Sequence, residues 1–264
     1  MLEIFNYEFM IRAMIAGAMI AVVVPALGSF LVARRYALIS DSLSHVSLAG
    51  IGAGLLLGFS PVIMAIPVAV VGALILEWMR QSKKITGEVS LAILMSGGLA
   101  LAVVMAGLSG GASGNFSAYL FGSITTTTQL DLILLSLVSA VTLIFIKLNY
   151  RALLYISFDE SNARVAGHRV TILNYLLVAL TALVITLSLR VIGGLLVSAL
   201  LVLPVVTSSK VCSSFAKTMF LGILFALLSV MLGLLIAFYA GIAAGGAIVL
   251  VSIILLVLSL IWAS

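Results

Sequence analysis

Asp41 and His45 stand four residues apart in Ser40-Asp41-Ser42-Leu43-Ser44-His45, at the head of an apolar segment. On a helix that spacing puts a carboxylate and an imidazole on one face, one turn apart. Zinc accepts both kinds of ligand at about 2.0–2.2 Å, usually four of them. Ser44 adds a hydroxyl to the same stripe, and Ser40 and Ser47 flank it. One helix supplies two good ligands at most, so the remainder must come from another helix, a second copy of the chain, or water. An incomplete set suits an ion in transit, because passage requires binding weak enough to permit exit. The competing reading makes Asp41 or Ser40 the cap of a helix start, with His45 bonded to a neighbouring helix. The chain has one other histidine, His168. It has no acidic partner at ligand spacing and reads as loop or interface.

The elements that position this pair are membrane elements. Of 264 residues, 64% are hydrophobic and 8% charged, where soluble domains carry about 25% charged residues. Lipid is the solvent that composition suits, and ionisable groups inside it are costly and usually functional. The expected fold is all-α, a polytopic helical bundle forming a single domain over residues 1–264. The net charge of +5 comes from thirteen Lys and Arg scattered over the loops, which makes a poor phosphate track and excludes nucleic acid as the expected partner. A single cysteine, Cys212, excludes a disulfide framework and any multi-cysteine metal site. Glu3 and Glu8 precede the first apolar run, where a cleavable signal needs positive charge. No lysine follows the glycines of a nucleotide-binding P-loop, so the chain is not expected to hydrolyse ATP by that route. Neither His-Glu-x-x-His nor Gly-x-Ser-x-Gly occurs, which counts against a hydrolase.

A span needs roughly 20 apolar residues. Nine candidates meet that need, over 10–33, 37–58, 61–79, 88–108, 129–147, 170–189, 191–209, 217–239 and 243–262. Ser60-Pro61 alone parts the second from the third, and Arg190 the sixth from the seventh, so the seventh can be a broken or partial helix. Cytoplasmic loops collect Lys and Arg. With the N-terminus outside, nine spans place eleven of the thirteen basic residues inside, leaving only Arg12 and Arg190 at the outer side. Eight spans, with the seventh segment not crossing, would move Lys210 and Lys217 outside. Glycines spaced by four, at 50, 54 and 58, at 107 and 111, and at 241 and 245, predict close helix packing.

Two polar stretches interrupt the spans. Residues 109–128 are expected outside, with a short surface helix in their apolar middle. Residues 149–169 are expected inside and contain a short helix. Ser157 or Asp159 can cap its start, acidic residues follow, and Gly167 can end it. Phe158, Ala163 and Ala166 are expected to leave an apolar, small-residue surface exposed to a soluble partner. The competing reading packs that helix onto its own bundle.

Several segments carry a family resemblance. Gly28-Ser29-Phe30-Leu31-Val32-Ala33-Arg34-Arg35 and Ser40-Asp41-Ser42-Leu43-Ser44-His45-Val46-Ser47-Leu48-Ala49-Gly50 resemble the membrane subunit of bacterial ABC importers for zinc, manganese or iron(II), the ABC-3 permeases. Tyr119-Leu120-Phe121-Gly122-Ser123 resembles its outer-loop signature, and the run from Gly193 to Pro204 its late membrane motif. Ser157-Phe158-Asp159, with Ala163 and Gly167, resembles its coupling loop. The resemblance implies a homodimeric permease with its pore at the dimer axis. It implies two cytoplasmic ATPase subunits docked on Phe158, Asp159, Glu160, Ala163 and Gly167, and an extracellular metal-binding protein that delivers the ion. It implies that Asp41 and His45, with Ser44 as an accessory group, coordinate the metal in transit, with no permanently bound cofactor. Manganese members tend to read Gly-Asp-Ala-Ile-Ser-His with a proline soon after. Ser40 in place of that glycine, and Ala49-Gly50 without proline, resemble the zinc branch. A stand-alone channel or ion-coupled carrier is the rival, but Glu77, Glu88 and Asp131 lie near span ends, where a proton-coupled carrier would need acids deeper in the membrane.

Overall fold

The computed structural model describes residues 7–82, 84–109, 119, 120, 122 and 127–263. Among these residues the fold is entirely helical. The helices are α1 (Glu8–Ala33), α2 (Ile39–Leu57), α3 (Pro61–Gln81), α4 (Gly87–Leu108), α5 (Gln129–Phe158), α6 (Glu160–Val165), α7 (Val170–Ser188), α8 (Gly194–Val211), α9 (Phe215–Ala240) and α10 (Ala244–Ala263). Each of the nine apolar segments of the sequence is one helix, with α6 as the tenth. The fifth is longer than its apolar run, because α5 continues eleven residues past Lys147, to Phe158. Most of the stretch 109–128 lies outside the described residues; of its expected short helix, Tyr119 and Leu120 are described and are helical.

Among the described residues seven helices are long and apolar enough to cross a membrane: α1, α3, α4, α5, α7, α9 and α10. The exceptions are the six-residue α6, α2, diluted by its serines, Asp41 and His45, and α8. Lipid tolerates apolar side chains on a helix surface but not unpaired polar ones. Accordingly α5 turns Leu130, Ile133, Leu137, Val141, Ile144 and Leu148 outward at helical spacing, all exposed. The polar α2 instead is buried along most of its length, surrounded by α3, α4, α7 and α8.

Side-chain contacts sort the helix ends into two sets. Arg34 after α1 reaches Ser157 near the end of α5 and Asn174 near the start of α7. Arg80 at the end of α3 reaches Glu160 of α6. Phe215 at the start of α9 packs on Phe30 of α1, with ring centroids 5.1 Å apart. At the opposite end Tyr7, before α1, meets Phe238 of α9, 5.8 Å apart. There too Arg190, after α7, pairs with Asp131 of α5 at 2.8 Å. The helix ends that carry Arg34 and Arg80 thus lie together with α6. The two arginines left at the other end are both ion-paired, Arg12 with Glu8 and Arg190 with Asp131.

The glycine row of α2 serves two purposes. A Cβ on Gly50 would sit 2.6 Å from Cα of Ala65, and one on Gly54 2.8 Å from Cα of Pro61, so α3 lies directly against this face. Gly58 instead ends the helix at φ 71. The other rows differ from expectation. Gly107 meets nothing within 4 Å, Gly111 lies outside the described residues, and Gly241 is the C-cap of α9, leaving only Gly245 in close contact.

Candidate metal site

The site is reached through a tight turn. α1 ends with Arg35 N–H donating to Val32 O and Tyr36 N–H to Leu31 O, which puts Arg35 in the left-handed region at φ 60. Because residues 34–38 turn rather than continue as helix, the rise toward His45 counts only from Ile39, about 9 Å over six residues.

Asp41 lies in the first turn of α2, but not as a cap. The N-cap is Leu38, and it makes no side-chain capping bond. The Asp41 carboxylate instead accepts a hydrogen bond from Ser198 Oγ of α8. Asp41 itself is half-buried, whereas Glu77 and Asp131 are buried, and each of those has an arginine: Arg80 at 2.6 Å and Arg190 at 2.8 Å. No Lys or Arg pairs with Asp41 among the described residues. His45 follows on the same face, only 8% exposed. Its Nδ1 and the hydroxyls of Ser40 and Ser44 are buried without a hydrogen-bond partner. The Asp41 carboxylate, without a cation among the described residues, thus shares its helix with buried polar atoms that lack partners, an arrangement that favours a cation.

Two further helices fix the segment. Ser42 Oγ donates to Leu91 O of α4 at 2.9 Å, and Ser47 Oγ lies 2.8 Å from Thr186 Oγ1 of α7. On the α4 side, a Cβ on Gly98 would stand 2.8 Å from the Val46 nitrogen and 2.9 Å from the His45 carbonyl carbon, so α4 rests on the backbone beside the imidazole. Asp41 and His45 do not form a closed set. Among the described residues no group of three or more His, Cys, Asp or Glu could hold a metal ion.

The short helix expected within residues 149–169 differs in detail from expectation. Asp159, not Ser157, caps α6, accepting from Asn162 N–H at 2.9 Å. Ser157 belongs to α5 and accepts from Arg34 Nε. Gly167 ends the segment at φ 84. Ala163, expected at the surface, is completely buried and seats α6 on the bundle. Phe158 at 71% and Val165 at 89% exposure carry the apolar surface, with Ala166 also exposed. Glu160 is held by Arg80 Nη1 at 2.8 Å and Arg164 Nη2 at 3.0 Å. Burial pushes its carboxyl up, but these two arginines outweigh burial and leave it below the usual 4.5. A cavity of about 220 Å³ beside it is lined by Arg34, Tyr36, Glu77, Arg80, Ser157 and Glu160, among others. His168 is exposed, its ring 6.0 Å from Tyr155, and is not part of the Asp41 site.

Ser198, Thr186 and Gly98 were not singled out as site residues in the sequence. Their signal is faint: hydroxyls and a glycine in apolar runs, with no spacing that ties them to Asp41.

The high-affinity zinc uptake system membrane protein ZnuB of Haemophilus influenzae is 28% identical over 96% of this chain and 97% of its own. The manganese import system permease protein ScaB of Streptococcus parasanguinis is 30% identical over 96% of this chain and 90% of its own. The solved structure of PsaBC from Streptococcus pneumoniae in complex with Fab superposes with a TM-score of 0.86 and 29% identity, covering 98% of this chain and 92% of that one. The model of the ABC 3 transport family matches residues 6–263. With its seven spanning-length apolar helices, the chain is a multi-pass membrane protein of the ABC 3 transport family.

Proposed function

We propose that this chain is the permease of an ATP-driven importer for divalent metal ions, with zinc as the ion carried. The observation that carries the reading is Asp41, the bundle acid with no arginine beside it, one turn before His45 on the same helix face. A divalent ion supplies the missing positive charge and takes an oxygen and a nitrogen ligand. Because α2 offers only two strong donors, the ion completes its shell with water or with the same pair from a second copy, as expected of a homodimer with its pore at the dimer axis. Ser44 lies beside the pair as an accessory oxygen. An incomplete shell keeps binding weak enough for release.

In this reading all nine long helices cross, with the N-terminus outside. Residues 149–169 face the cytoplasm, where two ATPase subunits dock on Phe158, Asp159, Glu160 and Gly167, with Ala163 anchoring α6 from beneath. ATP hydrolysis belongs to those subunits. An extracellular metal-binding protein delivers the ion, and no cofactor stays bound.

Manganese is the second reading, favoured by the resemblance to ScaB; one Asp and one His do not by themselves select zinc over manganese. Uptake of radiolabelled zinc and manganese by cells with matched membrane levels of wild type, Asp41→Ala or His45→Ala tests both. Loss of zinc uptake in both variants is expected. Loss of manganese uptake alone would move the chain to the manganese branch, and unchanged uptake of both ions would refute the site.

A further inference from the structure

Asp41 is held from outside its own helix. Most buried serines in this bundle donate to a carbonyl one turn back on their own helix, as Ser29, Ser47, Ser188 and Ser252 do. Ser198 does not: its Oγ donates to Asp41 Oδ1. Ser198 is itself only 9% exposed. It lies one turn into α8, whose first residue, Gly194, approaches Ser44: a Cβ built there would stand 3.7 Å from Ser44 Cβ. The turn before α8 is fixed in turn. Arg190 is paired with Asp131. A Cβ on Gly245 of α10 would come within 2.4 Å of Ile192 O, and one on Gly122 within 2.4 Å of Ile192 C. Ser198 is therefore carried on a segment held by α5, α10 and Gly122.

We propose that Ser198 is a positioning residue for the metal ion. Its hydroxyl occupies one carboxylate oxygen of Asp41, fixes the plane of the carboxylate, and leaves Oδ2 for the cation. Hydrogen bonds to a ligating carboxylate orient it, and their loss typically costs about 10–100-fold in metal affinity or activity. The inference rests on the reading of Asp41 and His45 as ligands, and its test separates the two.

The readout is equilibrium binding of radiolabelled zinc to the purified permease in detergent, alongside the half-saturation concentration for uptake in cells. The variants are Ser198→Ala, Asp41→Ala and the double variant, plus the near-isosteric pair Ser198→Thr and Ser198→Val. Thr and Val share a shape and differ in the hydroxyl, so they isolate the hydrogen bond if alanine fails to fold. Ser198→Ala and Ser198→Val should weaken zinc binding about tenfold or more. Ser198→Thr should stay near wild type, and Ser198→Ala should add nothing in the Asp41→Ala background. Equal affinities for the Thr and Val variants, with binding lost in Asp41→Ala, would overturn the role of Ser198 alone. Wild-type binding by Asp41→Ala would overturn the metal site itself.

Discussion

At the residue scale the site depends on an uncompensated charge and on a missing side chain. Asp41 has no arginine, whereas Glu77 and Asp131 each have one. Gly98 has no Cβ, and the backbone of His45–Val46 fills the space. Backbone cannot rotate aside as a side-chain tip can, so Gly98→Ala must push α4 from α2. Overpacking of this kind costs about 1–3 kcal/mol. Gly97, the next residue, meets nothing within 4 Å. Gly97→Ala should therefore be neutral or slightly stabilising, as alanine is the better helix former. Thermal unfolding of the purified protein checks the pair: a lower melting temperature and weaker zinc binding for Gly98→Ala, neither for Gly97→Ala. Equal effects at the two positions would show that α4 does not bear on the site backbone. The ligand pair was legible in the sequence because an Asp and a His four apart in an apolar setting need a reason. Gly98 and Ser198 were not, because their meaning comes from helices 53 and 157 residues away along the chain.

At the element scale α6 stands out, since six residues cannot hold a helix in water by themselves. Its attachment comes from buried Ala163 and from Glu160, gripped by Arg80 of α3 and by Arg164. The sequence narrowed its N-cap to Ser157 or Asp159 and marked its glycine end, because both are local signals. It misjudged Ala163, because which side of so short a helix is buried depends on Arg80, far away in the chain. The folded state holds the Glu160 carboxyl below the usual 4.5. A group depressed in this way contributes stability that is complete above its ordinary value and lost as pH falls through the lower, folded one. The tether should thus be insensitive to pH around neutrality and loosen only in acid below about 4.5. Glu160→Gln removes the charge at every pH. Amide hydrogen exchange over residues 160–165 should accelerate in this variant at pH 7, with weaker assembly of the ATPase subunits and unchanged zinc binding. Wild-type exchange and assembly would mean that Ala163 alone seats the helix.

At the scale of the whole molecule the sequence and the fold share one logic. Basic residues gather where the ends of α1, α3 and α5 meet, and the two arginines at the opposite end are each neutralised by an acid. The positions of the long apolar helices were readable because apolar runs are long; the burial of α2 was not, because its polar residues look like a weak span until four neighbours surround them. Whether α8 crosses decides the sidedness of everything after it, and Cys212, the single cysteine, sits at its C-terminal cap. Nine crossings put Cys212 in the cytoplasm; eight would put it outside. A membrane-impermeant maleimide applied to intact cells should leave Cys212 unlabelled and should react with it in inverted vesicles. Phe59→Cys in a Cys212→Ser background gives the opposite control, since Phe59 is 63% exposed in the turn between α2 and α3. Val165→Cys in that background, on exposed α6, should behave like Cys212. Labelling of Cys212 in intact cells while Val165→Cys stays protected would mean that α8 returns to the side it entered from. Ser198 would then reach Asp41 from a re-entrant helix, and the positive charge of Lys210 and Lys217 would lie outside the cell.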